Sequence, residues 1–361
     1  MFACLQQDGL RRLDSLIEGA AKVTVVGHTH PDGDALGVTS ALALYLRKCR
    51  GKDSVCLFSD TPADNLRFIL PPEIPFLFHD TEPQAAAARI AETDLIVLED
   101  CNGFSRTEAL APLLKASPAR KVLIDHHLNP ESADFDLVFS TPDVSSASEL
   151  LYWLLKALPA AGQACPEASA FLSASGQACP ASAKAIGTAL MTGMTTDTNN
   201  FANSVYPSTL RMASELLDLG VDRDTILQHL YQEYRENRVR IMGYMQHEGM
   251  QLLPEGAAYM ILTRAIQERF DLREGESEGL VNVPLSIANV RLSVLLKENG
   301  DHFRVSVRSK KGTSAQQLAQ RYFHGGGHEN AAGGKLLIGA DIASPEEAPA
   351  YLVHVLKTFL A

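Results

Sequence analysis

Residues 22–49 read KVTVVGHTHPDGDALGVTSALALYLRKC and contain the clearest structural pattern of the chain. Residues 22–26 are a short apolar run typical of a buried strand, and residues 35–49 have the length and composition of a helix. The stretch therefore predicts a strand and a helix joined by a short polar loop. That loop carries three side chains of the kinds that bind metal ions: His28, Asp32 and Asp34.

Further apolar runs follow this unit at residues 54–58, 94–98 and 121–124. Continuous apolar strands separated by helices are typical of a parallel sheet covered on both faces, so we expect an α/β fold. Ser146-x-x-Glu149 is a capping-box pattern that predicts the start of another helix. The GQACP sequence occurs twice within residues 159–183, which we interpret as an insertion at the surface.

The C-terminal part has a different pattern. Residues 208–250 predict long helices that connect two domains. Two alternating strands, at residues 290–296 and 303–308, flank an Asn299-Gly300 turn. We therefore predict an α/β domain over 1–207, a helical connector over 208–250 and a smaller α+β domain over 251–361.

Composition and charge narrow the class of protein. The chain has 361 residues and a formal net charge of −11, which argues against a protein that coats nucleic acid by neutralising phosphates. None of the 6 cysteines forms a C-x-x-C pair, so zinc-ribbon and thioredoxin functions lose support. With no apolar run of 18 residues and no secretory leader pattern, we expect a cytoplasmic protein without a membrane partner.

More acidic and imidazole side chains stand where the predicted strands end. Because the carboxyl ends of parallel strands meet at one edge of a sheet, these side chains should lie together. Two histidines and four carboxylates from this set already exceed the ligands of one catalytic zinc and suit two divalent ions. Mixed imidazole and carboxylate ligands favour manganese over magnesium. The strand-end side chains that join the first loop are Asp100, Asp125, His126 and His127, and Asp197 is a further candidate directly after a predicted helix.

The order and composition of these motifs resemble the DHH phosphoesterases, and residues 324–334 resemble their associated substrate-binding domain. The resemblance implies one ion held by His28, Asp32 and Asp100. It implies a second ion held by Asp34, Asp100, His126 and Asp197, with Asp100 as the bridge. His127 would then lie beside the scissile phosphate, and Asp125 would orient a histidine. Mn²⁺ is the expected ion, with Mg²⁺ and Co²⁺ left open.

A second group of residues is a candidate phosphate site. Consecutive glycines let backbone amides approach an anion, and alternation along residues 303–308 places Arg304 and Arg308 on one face of a strand. Arg106 follows Asp100 at the same edge of the predicted sheet. Its side chain could contact a phosphate or form an ion pair on a helix face, and the sequence leaves both roles open. With the resemblance, the candidate substrate-binding residues are Arg106, Arg308, Ser309, Gly325, Gly326, Gly327 and His328.

The leading hypothesis is a two-metal phosphoesterase. The resemblance is strongest to small bacterial enzymes that degrade very short RNA and dephosphorylate 3′-phosphoadenosine 5′-phosphate. A cyclic-dinucleotide phosphodiesterase, an inorganic pyrophosphatase or exopolyphosphatase, and a non-catalytic nucleotide sensor are the alternatives. The expected partner is a short oligonucleotide or nucleotide, since a long duplex would need basic walls. A homodimer stays open.

Overall fold

The first sheet is built from strands that follow the predicted pattern. The strands are β1 (Lys22–Val26), β2 (Asp53–Phe58), β3 (Phe76–Phe78), β4 (Leu95–Glu99), β5 (Arg120–Asp125) and β6 (Leu137–Ser140). All of them pair in parallel, in the order β3-β2-β1-β4-β5-β6. The three strands predicted outside the opening stretch are thereby confirmed. β3 and β6 were not predicted, because these short edge strands are only partly buried and their apolar runs are just three residues long.

Helices cover both faces of this sheet, as the sequence predicted. On one face α1, α2 and α5 to α8 share a large apolar core, and on the other α3 and α4 form a smaller one. The helices are α1 (Gln7–Gly19), α2 (Gly33–Arg50), α3 (Pro83–Glu92), α4 (Ala111–Ala116), α5 (Ala147–Ala157), α6 (Pro180–Asp197), α7 (Pro207–Asp218) and α8 (Arg223–Tyr231).

The computed structural model describes residues 2–158 and 180–361. These residues form two compact units, Met1–Glu233 and Tyr234–Ala361. Residues 159–179 of the predicted insertion lie outside the described residues. Residues 180–183, which were also assigned to the insertion, begin α6.

The connection order creates the place where a site can form. From β1 the chain passes to β2 on one side, whereas β4 lies on the other side of β1. At such a switch point the two loops that leave the carboxyl ends diverge and open a crevice, where α/β proteins bind ligands. The loops after β1 and β4 carry the first predicted ligands.

A separate sheet forms the second unit. Its strands are β7 (Gln251–Leu253), β8 (Ala257–Leu262), β9 (Leu292–Asn299), β10 (His302–Ser309), β11 (Gly326–Gly327) and β12 (Ala331–Leu337), in the order β11-β12-β10-β9-β8-β7. Only the pairing of β8 with β9 is parallel among these strands. The remaining helices are α9 (Glu236–Tyr244), α10 (Arg264–Arg269), α11 (Ala315–Tyr322) and α12 (Ala348–Leu360).

The stretch expected to be a long helical connector is divided between the units. It consists of the short helices α7, α8 and α9, followed by a π-helical turn over Met245–Gly249. Met212 and Ile226 belong to the core of the first unit, whereas Ile241 belongs to the core of the second. Helical periodicity shows that a helix has an apolar face but does not show which core covers that face. No helix among the residues described is long and apolar enough to cross a membrane.

Close packing of α2 against α6 gives a stability prediction. A Cβ at Gly37 would lie 2.6 Å from the carbonyl oxygen of Ala189, so Gly37→Ala should force the helices apart. We expect a loss of about 1–3 kcal/mol in the free energy of unfolding, measured by urea denaturation. Gly19→Ala is the control because nothing lies within 4 Å of a Cβ there. Equal stability of the two variants would contradict this packing.

Candidate metal centre

Asp100 lies at the centre of the site, just beyond the end of β4 and 2% exposed. Its Oδ2 is 3.5 Å from Nε2 of His28, and its Oδ1 is 3.4 Å from Nε2 of His126. The φ angle of Asp100 is +54°, a left-handed conformation that is rare for residues other than glycine. Each of its two oxygens therefore faces a different imidazole.

His28 and Asp32 lie on one side of Asp100. Nε2 of His28 is 3.7 Å from Oδ1 of Asp32. The same oxygen caps α2, because it accepts hydrogen bonds from the backbone amides of Asp34 and Ala35 at 3.0 Å each. Oδ1 of Asp32 therefore both caps α2 and faces the imidazole of His28.

Asp34, His126 and Asp197 form the second group. Nε2 of His126 is 3.5 Å from Oδ2 of Asp197. Asp34 is buried and accepts hydrogen bonds from the backbone amides of Ala147 and Ser148, at 2.7 and 3.1 Å. These amides are at the N-terminus of α5, where a helix stabilises negative charge.

Asp197 reaches the site through close contact between α2 and α6. A Cβ at Gly33 would lie 2.4 Å from Cγ2 of Thr196, so glycine is required for this approach. After Asp197 the chain turns through Asn199 and Asn200 with φ angles of +47° and +56°, which asparagine adopts more readily than most residues.

Hydrogen bonds from the Nδ1 atoms of His28 and His127 fix the orientation of these two rings. Nδ1 of His28 donates to the carbonyl oxygen of Thr29 at 2.7 Å, which leaves Nε2 facing the carboxylates. Nδ1 of His127 donates to Oδ1 of Asp125 at 2.7 Å. Because an ionised carboxylate can only accept, the proton of the neutral His127 ring lies on Nδ1 and the lone pair on Nε2. This hydrogen bond is the contact through which Asp125 would orient His127.

Burial and mutual charge shift the pKa values of the cluster. Burial alone would lower the pKa of His28 and His126, but the neighbouring carboxylates raise both pKa values to about 10. Burial, followed by the charges of Asp100 and Asp32, raises the pKa of Asp197 to about 6 against the opposing effect of His126. Protonated imidazoles thus compensate the buried negative charge when no other cation does so.

The spacing of the donor atoms fits divalent cations. The imidazole-to-carboxylate distances of 3.4–3.7 Å are longer than direct hydrogen bonds, which span about 2.7–3.2 Å. They match two donors that each lie about 2.0–2.2 Å from a shared ion. Two such donor groups meet at Asp100. One group consists of His28 and Asp32, and the other consists of Asp34, His126 and Asp197.

Arg106 contributes to the site through its backbone. Its carbonyl oxygen accepts a hydrogen bond from the amide of Thr29 at 2.9 Å and so joins the loops after β1 and β4.

Asp60 supports the loop after β1. Its Oδ2 accepts hydrogen bonds from the amide of His30 and from the hydroxyl of Thr29, at 2.8 and 3.0 Å. The sequence alone does not identify Asp60, because a single half-buried aspartate after a strand carries no distinguishing pattern.

Glu99 is a second buried acid that the sequence analysis missed. It precedes Asp100 and is 0% exposed, and neither of its oxygens has a hydrogen-bond partner among the described residues. Burial, together with the charges of Asp34 and Asp100, raises its pKa well above the usual value. The available signal was a glutamate as the last residue of an otherwise apolar strand.

In the second unit, part of the candidate phosphate loop is occupied by structural bonds. The amide of Gly325 donates to the carbonyl of Ala319, and the amide of His328 donates to the carbonyl of Ala331. These two amides therefore cannot form the expected anion cradle. Gly326 and Gly327 form β11, which pairs with β12.

The two predicted residues on β10 differ in their surroundings. The guanidinium of Arg308 is half-buried and donates to the carbonyl of Val307 at 2.9 Å. Ser309 is buried, and its hydroxyl donates to the carbonyl of Thr313 and accepts from Nδ2 of Asn330. The Ser309 side chain thus closes a turn, so of these two residues we retain only Arg308 as a candidate phosphate contact.

Comparison with known proteins agrees with this geometry. Residues 22–194 match the DHH family, N-terminal domain, and residues 257–344 match the DHHA1 domain. A crystal structure of an exopolyphosphatase-related protein from Bacteroides fragilis is 32% identical, covers 98% of this chain and 97% of its own, and has a TM-score of 0.85. The chain belongs to the DHH family, whose members include enzymes that hydrolyse phosphoester bonds.

Two curated relatives cover most of the chain. The bifunctional oligoribonuclease and PAP phosphatase NrnA of Bacillus subtilis is 27% identical over 92% of this chain and 93% of its own length. The protein of the same name from Thermus thermophilus is 28% identical over 87% of this chain and 84% of its own.

The hydrogen bond between Asp125 and His127 gives a prediction for the site. Asp125→Asn should disturb the proton position on His127 and lower kcat about 10- to 100-fold, the usual effect of removing a partner that orients a site residue. Asp125 also lies close to Asp100 and His127, but it is outside the two proposed ligand sets, so metal content by elemental analysis should not change. Loss of both ions from Asp125→Asn would show that Asp125 is itself a ligand.

Proposed function

We propose that this chain is a two-metal phosphoesterase that hydrolyses short oligonucleotides, 3′-phosphoadenosine 5′-phosphate, or both. One observation carries the proposal: the two oxygens of Asp100 face two separate imidazole-containing donor groups. A carboxylate in that position can bridge two ions, and paired ions are typical of enzymes that cleave phosphoesters. The two relatives described above carry these activities in their names.

The proposed ligands divide between two ions. His28, Asp32 and Asp100 would hold one ion. Asp34, Asp100, His126 and Asp197 would hold the other. Divalent ions bound there would supply the Lewis acidity that makes water a nucleophile near neutral pH and would neutralise charge on the phosphoryl oxygens. The mixture of imidazole and carboxylate donors favours Mn²⁺, with Co²⁺ and Mg²⁺ as the ions to compare with it.

His127 would act on the reacting phosphate without binding an ion. Its Nδ1 is held by Asp125, so its Nε2 has a fixed direction. In the protonated form, Nε2 can donate a hydrogen bond to a phosphoryl oxygen, and in the neutral form it can accept a proton. The same ring can therefore bind substrate and move a proton.

The second unit would supply phosphate contacts from Arg308 and His328. Both are half-buried side chains, one on β10 and the other directly after β11. A guanidinium and an imidazolium make the charge-assisted hydrogen bonds that favour a terminal phosphate. We propose no phosphate contact for Ser309 or for the amides of Gly325 and His328, which are used within the unit.

A substrate panel tests the proposal. With Mn²⁺ present, the enzyme should hydrolyse 5′-labelled dinucleotides and 3′-phosphoadenosine 5′-phosphate faster than pentanucleotides, cyclic di-AMP or pyrophosphate. Fastest cleavage of cyclic di-AMP would instead make it a cyclic-dinucleotide phosphodiesterase, and fastest cleavage of pyrophosphate would make it a pyrophosphatase. Tight nucleotide binding without turnover of any substrate would favour a sensor.

The bridging role of Asp100 predicts coupled loss of both ions. Asp100→Ala should abolish activity and metal binding while the protein still melts cooperatively, because the strand before it remains apolar. Asp100→Asn is a useful second variant, since asparagine tolerates the left-handed conformation observed here. Normal turnover with two ions bound in either variant would refute the bridge.

Removal of the proposed phosphate contacts should weaken substrate use and spare the metals. Each of Arg308→Ala and His328→Ala removes a charge-assisted hydrogen bond worth roughly 1.5–3 kcal/mol, or about ten- to a hundredfold in kcat/KM. Arg304→Ala is a matched control on the same strand, where Arg304 pairs with Glu274 at 3.0 Å. If Arg308→Ala and His328→Ala keep the same kcat/KM as Arg304→Ala and the original sequence, the second unit does not hold phosphate.

A further inference from the structure

Glu131 lies outside both donor groups but contacts the loop that follows Asp100. Its backbone amide donates to the carbonyl oxygen of Asn102 at 2.6 Å. Its Oε1 accepts a hydrogen bond from the hydroxyl of Ser105 at 2.5 Å. Since Glu131 follows the loop that carries His126 and His127, these bonds join the loops after β4 and β5.

The side chain of Glu131 also packs tightly against the same loop. A Cβ at Gly103 would lie 2.3 Å from Cδ of Glu131, so the carboxylate rests directly on the backbone of Gly103. Gly103 is buried and extended, with a φ angle of 170°, so its backbone is not strained. Glycine is therefore needed at position 103 because the side chain of Glu131 fills the space that a Cβ would occupy.

Each of the two joined loops contains a residue in the left-handed conformation, which is less easily adopted by aspartate than by asparagine. Asp100 and Asn129 have φ angles of +54° and +59°. Conformations of this kind persist where surrounding contacts hold them. The bonds of Glu131 connect the loop that follows Asp100 to the loop that contains Asn129.

We propose that Glu131 is a positioning residue that holds Asp100 and His126 at the spacing needed to bind ions. This inference rests on the proposed metal-dependent function. The carboxylate ties Ser105 and the Gly103 backbone to its own loop, so the separation between the Asp100 oxygens and the His126 ring is fixed before an ion arrives. Such preorganisation raises metal affinity, because no loop ordering remains to be completed on binding.

Three variants of the full chain test this role. Glu131→Ala removes the bond to Ser105 and the packing on Gly103, whereas Glu131→Gln keeps the size and an oxygen that can accept from Ser105. Glu73→Ala is the control, since Glu73 is an exposed acid of the same unit. Mn²⁺ affinity is measured by calorimetric titration of the metal-free protein without substrate. Hydrogen exchange of the metal-free amides over residues 101–106 is measured in parallel.

We expect Glu131→Ala to bind Mn²⁺ at least about tenfold more weakly, with faster exchange over residues 101–106. Glu131→Gln should stay within about threefold of the unchanged protein, as should Glu73→Ala. Unchanged affinity in Glu131→Ala would overturn the proposal. Equal weakening in Ala and Gln would also overturn it, because charge and not the hydrogen bond would then be responsible. Failure to hydrolyse any substrate with Mn²⁺ bound would count against the proposed function alone.

Discussion

Concentrated buried negative charge is the constraint on which this structure depends. Asp34, Asp100 and Glu99 are nearly inaccessible to water, and Asp32 and Asp197 lie beside them. Removing unpaired carboxylates from water costs several kcal/mol each, so positive charge must be available at the same place. The switch point of the sheet brings these acids together, and the imidazoles of His28 and His126 are the first compensating groups.

The backbone supplies further compensation without adding charged side chains. Asp34 accepts two amides from the N-terminus of α5, and Asp32 accepts two from the N-terminus of α2. A helix N-terminus carries a partial positive charge, so both helices stabilise carboxylates that also face the site. The close packing at Gly33 and Gly37 brings α6 and Asp197 to the same place. Packing and electrostatics are therefore coupled at this edge of the first unit.

Sequence reasoning recovered the features that depend on local pattern. Apolar runs predicted β1, β2, β4 and β5, and the acidic and histidine residues predicted a cluster at one edge of the sheet, whereas the division of that cluster between two ions came from the family resemblance. The capping pattern at Ser146 predicted α5, and the hydroxyl of Ser146 does accept from the amide of Glu149 at 3.0 Å. The same pattern could not show that the backbone amides of Ala147 and Ser148 donate to Asp34, which is more than 100 residues earlier in the chain.

What sequence reasoning missed depends on contacts between distant segments. The division of residues 208–250 between two cores follows from tertiary packing, which helical periodicity does not encode. Ser309 follows Arg308 in the sequence, but alternation along the strand places its hydroxyl in a buried turn. Asp60 and Glu131 are ordinary acids in their local sequence, and only the positions of neighbouring loops show what they hold.

The two tasks of Asp32 have a consequence for how relatives of this chain could diverge. Its Oδ1 caps α2 and also faces Nε2 of His28 at the proposed ion site. Many residues can cap a helix and several can bind an ion, but asparagine can keep the cap while providing a much poorer ligand. A single substitution of that kind could inactivate the enzyme without unfolding it. The same architecture can therefore pass from catalysis to ligand binding alone without rebuilding its core.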